Sequence, residues 1–377
     1  MWRLIEKGRG RAKPFCPARV TFVATRENLE NAPIVEHESM KLNVQALARK
    51  LMRYREPNGA WSTFELCVTA GALVTNWALM WWSLDFGYWL TLLLAIPTAG
   101  FLVRLFMIQH DCGHGSFFRW RFANDWIGRA LGVLTFTPYD YWKRNHAIHH
   151  ATSGNLDRRG IGDILTLTVD EYFSRSRLGR FAYRVYRNPV VLFGVGPAYL
   201  FFLQHRLPFE QMRGGWRPWV SAFATNAAIA GGAGLMIWLI GFGPFLAVHV
   251  PVMLLAASMG VWLFYVQHQY ESVQWARDGG WAVQDAALAG SSHYDLPAVL
   301  RWFTANIGVH HVHHLCSRIP FYRLRQVLRD NPELRDVGRV TFGQSILTVR
   351  LALWDETRQK LVSFREATRL RRSVVAQ

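Results

Sequence analysis

Cysteine is scarce in this chain and never paired in sequence. Cys16, Cys67, Cys112 and Cys316 are scattered through 377 residues without any CxxC. A disulfide framework or a thiolate zinc site is therefore excluded as an organising feature. No GxGxxG nucleotide loop occurs, no low-complexity tract, and no internal repeat beyond a pair of apolar hairpins. The N-terminal stretch has no signal-peptide pattern. It is polar and punctuated by Pro and Gly, so Met40 could be a later start. The most informative absence is of basic charge. The chain has 43 Lys and Arg, yet none falls between Phe64 and Val103 or between Pro218 and Ala276.

Those gaps hold four apolar segments, roughly 64–84, 88–108, 219–240 and 245–266. Each has about 20 residues, enough for a helix to cross a hydrocarbon core of about 30 Å. Short turns, "DFG" at Asp85 and "GFGP" at Gly241, join them into two hairpins. Buried helices of a soluble protein rarely run so long without charge. Hydrophobic content of 51% with a formal net charge of +17 fits a membrane protein with basic exposed regions. If both hairpins enter from one side, the three basic stretches share that side, and the positive-inside rule makes it the cytoplasm. Arg104, near the cytoplasmic end of the second helix, is expected to snorkel outwards. Two shorter apolar runs, 126–138 and 189–203, read as interfacial or re-entrant; Gly194, Gly196 and Pro197 break the second. The expected fold is an all-α integral membrane protein: four transmembrane helices in two hairpins under a cytoplasmic helical cap. The expected layout is a basic N-terminal segment to residue 63, a membrane domain 64–320 and a basic C-terminal segment 321–377.

Histidines gather in that cap. "HDCGH" supplies His110 and His114, "HAIHH" supplies His146, His149 and His150, and "HHVHH" supplies His310, His313 and His314. On a helix, residues i, i+3 and i+4 share a face, so each cluster is expected to point one way. His311 is one residue off that register and should point away. His268, in "YVQHQYE", should emerge just past the fourth helix, at the depth where His110 emerges from the second. Eight or nine imidazoles exceed the four that a single zinc takes, which implies two metals. Imidazole suits zinc, copper, iron and nickel, and an open position for oxygen favours iron. His37, His205 and His249 read as isolated residues. His249 lies roughly 28 Å along the helix from His268. His293, in "GSSHYDLP", reads equally as a ligand or as a contact to substrate or electron donor.

The stretches "QHDCGHGSFF", "YWKRNHAIHHATSGNLD", "WLFYVQHQYE" and "LRWFTANIGVHHVHHL" carry a resemblance. From about Arg53 to Ala367 the chain resembles a membrane fatty acid desaturase of the acyl-lipid omega-6/delta-12-like bacterial group. The resemblance implies a cytoplasmic di-iron centre in a bacterial inner membrane, with both termini cytoplasmic. It implies that the centre uses O2 and two electrons to remove two hydrogens from an acyl chain. By position, the ligands would be the eight box histidines and His268. The word after His268, "QYESVQW", is poorer in acid than is usual in the family, which bears on Glu271. Asp111, Asp157 and Asn306 are candidates for orienting the rings. Tyr139, Tyr141 and Trp142, in "TFTPYDYW", are candidates for a substrate tunnel.

The chemistry is consistent. An unactivated methylene has no acidic proton and no leaving group, so an oxidant must take its hydrogen in a dry site. The chain has no iron–sulfur cysteine set and no "HPGG", so a separate ferredoxin-like, rubredoxin-like or cytochrome donor is implied. Its basic charge would contact lipid headgroups or dock an acidic donor; nucleic acid is not an expected partner. A di-iron hydroxylase or ketolase shares the boxes and differs in keeping oxygen in the product. A histidine-rich metal carrier would need liganding groups along the membrane path, and apart from His249 the four helices offer few.

Overall fold

The computed structural model describes residues 44–375. His37, Met40 and Cys16 lie outside them. The first hairpin is Gly59–Ser83 with Tyr88–His114, the second Trp216–Ile240 with Phe242–His268. These are the helices of the described residues long and apolar enough to cross a membrane. Asn58 caps the first, its side chain accepting from the Trp61 amide at 3.0 Å. The returning helices start at Gly87 (φ 140°) and Gly241 (φ 88°), backbone that residues with a Cβ avoid.

The second and fourth helices run past the apolar limits at 108 and 266, to His114 and His268. His110 and His268 therefore ride on the spanning helices rather than emerging beyond them. Loss of hydropathy marks where the membrane ends, not where the helix does. Gly115, left-handed at φ 65°, ends the second helix. Each of these helices has 27 residues. That is roughly 40 Å against a core of about 30 Å, so two turns stand clear as rigid posts for side chains. Ala95, Ala99, Leu102 and Val103 of one share a buried cluster with Val248, Val252, Met253 and Ala256 of the other.

Arg104 does not snorkel. Its guanidinium is buried, 2.5 Å from Glu65 on the neighbouring helix and 3.2 Å from Thr69, and it donates to the Trp302 carbonyl. A buried acid within reach outweighs the pull of the interface.

The apolar run at 126–138 belongs to helix Arg121–Leu134, followed by Tyr139–Thr152, which carries the second histidine cluster. The run at 189–203 is not broken. A π-helical segment, Val191–Val195, continues into helix Gly196–Phe202. Pro197 has no amide hydrogen to give, and the turn before it widens. The cap also contains strands. Leu167–Thr168 lies parallel to Leu353–Asp355, which pairs antiparallel with Lys360–Val362, and His293–Asp295 lies parallel to Arg339–Thr341. Two or three residues are too few to show a period-two pattern. Three of these five strands come from the C-terminal segment, which is thereby knitted into the cap.

Candidate metal centre

Nine histidine rings converge in two groups. His110, His114, His146, His150 and His313 form one; His149, His268, His310 and His314 form the other. Within each group one nitrogen per ring lies within 4.8 Å of the others. Nε2–Nε2 distances are 3.0 Å for His114–His146, 3.1 Å for His146–His150 and 3.1 Å for His150–His313. In the second group they are 3.2 Å for His149–His268, 3.0 Å for His268–His310 and 3.1 Å for His310–His314. Nitrogens bound about 2.1 Å from one ion sit roughly 3.0 to 3.4 Å apart. Each group therefore fits one ion.

The clusters do not point one way, as their spacing suggested. His146 and His150 join the first group while His149 joins the second; His310 and His314 join the second while His313 joins the first. At 3.6 residues per turn, i+4 lies roughly 40° to one side of i and i+3 roughly 60° to the other. That fan is narrow enough to face one region and wide enough to reach two ions. Each three-histidine stretch thus offers an i, i+4 pair to one group and its middle ring to the other.

Burial holds the rings of His146, His150, His310, His313 and His314 well below the usual imidazole range, and neighbouring rings push the same way. Neutral imidazole is the form that ligates metal.

Two partners that the sequence does not reveal orient rings of the second group. His149 Nδ1 donates to Asp163 at 2.6 Å, and His268 Nδ1 donates to the Gly290 carbonyl at 3.0 Å. Each bond leaves Nε2 with its lone pair turned inward. Gly162, left-handed at φ 69°, turns the chain so that Asp163 meets the His149 ring. The sequence signal was "GIGD", a glycine-loosened loop ending in an acid, just after the second cluster.

The other candidates divide. Asp111 is beside a ring, its carboxylate 3.4 Å from His110 Nδ1, while its other oxygen accepts from the Phe321 amide at 2.7 Å. Asp157 does not orient a ring; it binds Arg277 at 2.7 Å and the Asp278 amide at 3.0 Å, because its turn faces the cap surface. Asn306 also acts elsewhere, donating to the Phe321 carbonyl at 3.3 Å. Trp142 stacks on His146 with centroids 4.8 Å apart and lies 5.9 Å from His110. Tyr139 and Tyr141 are not at the histidines. Tyr139 is buried against Gly128 and Gly132 and donates to Asp125 at 3.2 Å; Tyr141 donates to Glu210. Asp125 and Glu210 hold their hydroxyls instead.

His311 faces away from both groups and donates through Nε2 to the Leu334 carbonyl at 2.9 Å. His293 donates to the Arg335 carbonyl at 2.5 Å and belongs to neither group. His249 lies between Phe245 and Phe136, with ring centroids at 5.1 and 5.3 Å; His205 packs on Phe201 at 5.1 Å. Glu271 is exposed.

Comparison with known proteins agrees with this site. The fatty acid desaturase family model matches residues 87–344. A fatty acid desaturase of Bacillus subtilis is 42% identical over 319 residues, covering 85% of this chain and 90% of that protein. An sn-1 acyl-lipid omega-3 desaturase (ferredoxin) of Synechocystis is 29% identical, covering 59% of this chain and 62% of that protein. An sn-1 oleoyl-lipid 12-desaturase of Anabaena variabilis is 26% identical, covering 65% and 70%. With spanning helices, paired histidine groups and these relatives in agreement, the chain belongs to the fatty acid desaturase family and is an oxidoreductase that desaturates fatty acids.

Proposed function

We propose that the two histidine groups hold two iron ions, and that the chain inserts a double bond into the acyl chain of a membrane lipid using O2. The supporting observation is the partition of nine ring nitrogens into five and four, each set with the spacing of ligands around one ion. Such a pair of irons supplies the oxidising power to take hydrogen from an unactivated methylene. The reaction balances as CH2–CH2 plus O2, two electrons and two protons, giving CH=CH and two waters. His110, His114, His146, His150 and His313 hold one ion; His149, His268, His310 and His314 hold the other. Asp163 and Gly290 keep His149 and His268 in the ligating tautomer, and Asp111 lies beside the His110 ring. Trp142 covers His146 and shields the site from water.

The electrons come from a separate carrier. Two relatives with ferredoxin in their names favour a ferredoxin, and lipid-acting relatives favour a lipid substrate. The reading that the site faces the cytoplasm of a bacterial inner membrane is supported by charge: the turns at the far ends of the hairpins, at Asp85 and Gly241, carry no Lys or Arg. Expression in cells lacking desaturase, with double-bond mapping of their lipids and metal analysis of the purified protein, tests the reading. A new acyl double bond and two irons per chain are expected. A hydroxylated product, or active protein with one zinc and no iron, would overturn it.

A further inference from the structure

Behind the third histidine stretch the cap forms an open-sided cavity of about 330 Å³. Its floor is the backbone that carries that stretch. Tyr294 donates to the Gly308 carbonyl at 2.7 Å, and the Ser292 carbonyl accepts from the amides of His310 and His311 at 3.2 and 3.3 Å. Five arginines line it: Arg301, Arg325, Arg329, Arg335 and Arg339.

Those charges are largely uncompensated. Among the described residues only Arg339 of the five has acidic partners, Asp295 at 2.7 Å and Asp336 at 3.8 Å. Arg301 and Arg335 each give a bond to a carbonyl, of Leu296 at 3.3 Å and Leu328 at 3.0 Å. Arg325 and Arg329 are exposed and make no ion pair or hydrogen bond among the described residues. They stand four apart on helix Phe321–Asp330, a like-charge spacing that disfavours the helix. An anion in the cavity would reverse that effect.

The surroundings indicate what carries the anion. Helix Ala298–Phe303, which supplies Arg301, lies along the second spanning helix. Its Phe303 ring sits where a Cβ on Gly100 would be, and Trp302 packs on Phe101 at 6.0 Å and on the Arg104 guanidinium at 4.1 Å. Gly100 is ten residues before His110, roughly 15 Å towards the hydrocarbon. This helix leaves Val299, Leu300 and Trp302 exposed at 67, 40 and 39%. On the other side, strand Arg339–Thr341 runs straight into helix Phe342–Thr348, where Phe342, Ile346 and Leu347 are exposed at 46, 58 and 58%. Bare apolar faces reaching down beside Gly100, next to a basic hollow behind His310, span the depth at which lipid phosphates lie.

We propose that this cavity binds the phosphate of an anionic membrane phospholipid, with its acyl chains along Val299, Trp302, Phe342 and Ile346. Planar guanidinium groups suit phosphate oxygens, and the volume suits a headgroup rather than a protein surface. The bound lipid would clamp the backbone behind His310 without touching the metals.

The test uses the full chain in neutral detergent, titrated with phosphatidylglycerol, phosphatidylcholine or inorganic phosphate. Thermal midpoint and retained lipid by native mass spectrometry are the readouts. Phosphatidylglycerol should raise the midpoint saturably and stay bound, and the Arg325→Gln/Arg329→Gln double variant should need about ten-fold more of it. Arg301→Gln is a second variant with the same expectation. Equal responses of the native chain and both variants would overturn the proposal. So would inorganic phosphate reproducing the whole effect. An acidic ferredoxin that binds the variants more weakly, with the lipid response unchanged, would make the surface a protein dock and overturn it as well. Binding is read directly, so loss or absence of desaturation does not bear on the outcome.

Discussion

His149 and Asp163 meet at 2.6 Å, ring Nδ1 to carboxylate, with 13 residues between them in the chain. The bond commits His149 Nε2 to the second group, whereas its neighbours His146 and His150 join the first. Removing such an orienting carboxylate typically weakens metal affinity about 10- to 100-fold. Asp163→Asn should therefore release metal from the four-histidine group first. Metal analysis after dialysis against a graded chelator should fall from two ions towards one, whereas Asp157→Asn should hold both. Equal retention in the two variants would contradict the assignment.

Ligand and non-ligand histidines should separate cleanly. His146→Ala, His150→Ala, His268→Ala and His314→Ala each remove a convergent nitrogen and should abolish desaturation with loss of metal. His249→Ala should keep most activity, since its ring meets Phe136 and Phe245 instead. His311→Ala should keep its metal while losing stability, because its bond to the Leu334 carbonyl is buried. Metal content and lipid product in isolated membranes measure both. Loss of metal only in the His311 variant would mean the register of the third stretch is misassigned.

Gly132→Ala should destabilise the fold by about 1–3 kcal/mol. A Cβ there would lie 2.5 Å from the Thr137 carbonyl oxygen, in backbone that leads into the second histidine helix. Gly128→Ala should act similarly, meeting the buried Tyr139 ring at 2.2 Å. Gly71, in the first spanning helix with open space at its Cβ position, is the control and should tolerate alanine. Thermal unfolding in one detergent compares the three.

Acid should unfold the protein before it titrates its carboxylates fully. Burial pushes His205 down to about 3, helped by Arg206, and His311 down to about 3, helped by His293. In the unfolded chain both return to about 6.5. The unfolded state thus binds more protons, and stability is fully present above pH 6.5 and falls as pH drops towards 3. Each ring contributes a slope of up to about 1.4 kcal/mol per pH unit. His205→Gln should flatten the dependence of unfolding free energy on pH between 6.5 and 4. An unchanged slope would show that His205 titrates normally in the folded state.

Four spanning helices were legible because membrane burial imposes a long, uncharged run that no other environment requires. The three histidine stretches were legible because i, i+3, i+4 spacing survives in linear order, and His268 because it follows an apolar run as His110 does. Those features belong to single helices, and a sequence displays them directly. How the rings divide does not belong to any one helix. His149 and His146 are three residues apart, and only the positions of the other helices assign them to different groups. Asp163, Gly290 and Glu65 were invisible as partners for the same reason: each acts on a residue brought near by packing, not by spacing. Asp157 and Asn306 had suitable chemistry in suitable neighbourhoods, yet Arg277 and Phe321 claim them. A side chain's type and helical phase set what it can do, whereas its partner depends on distances that only the assembled cap defines.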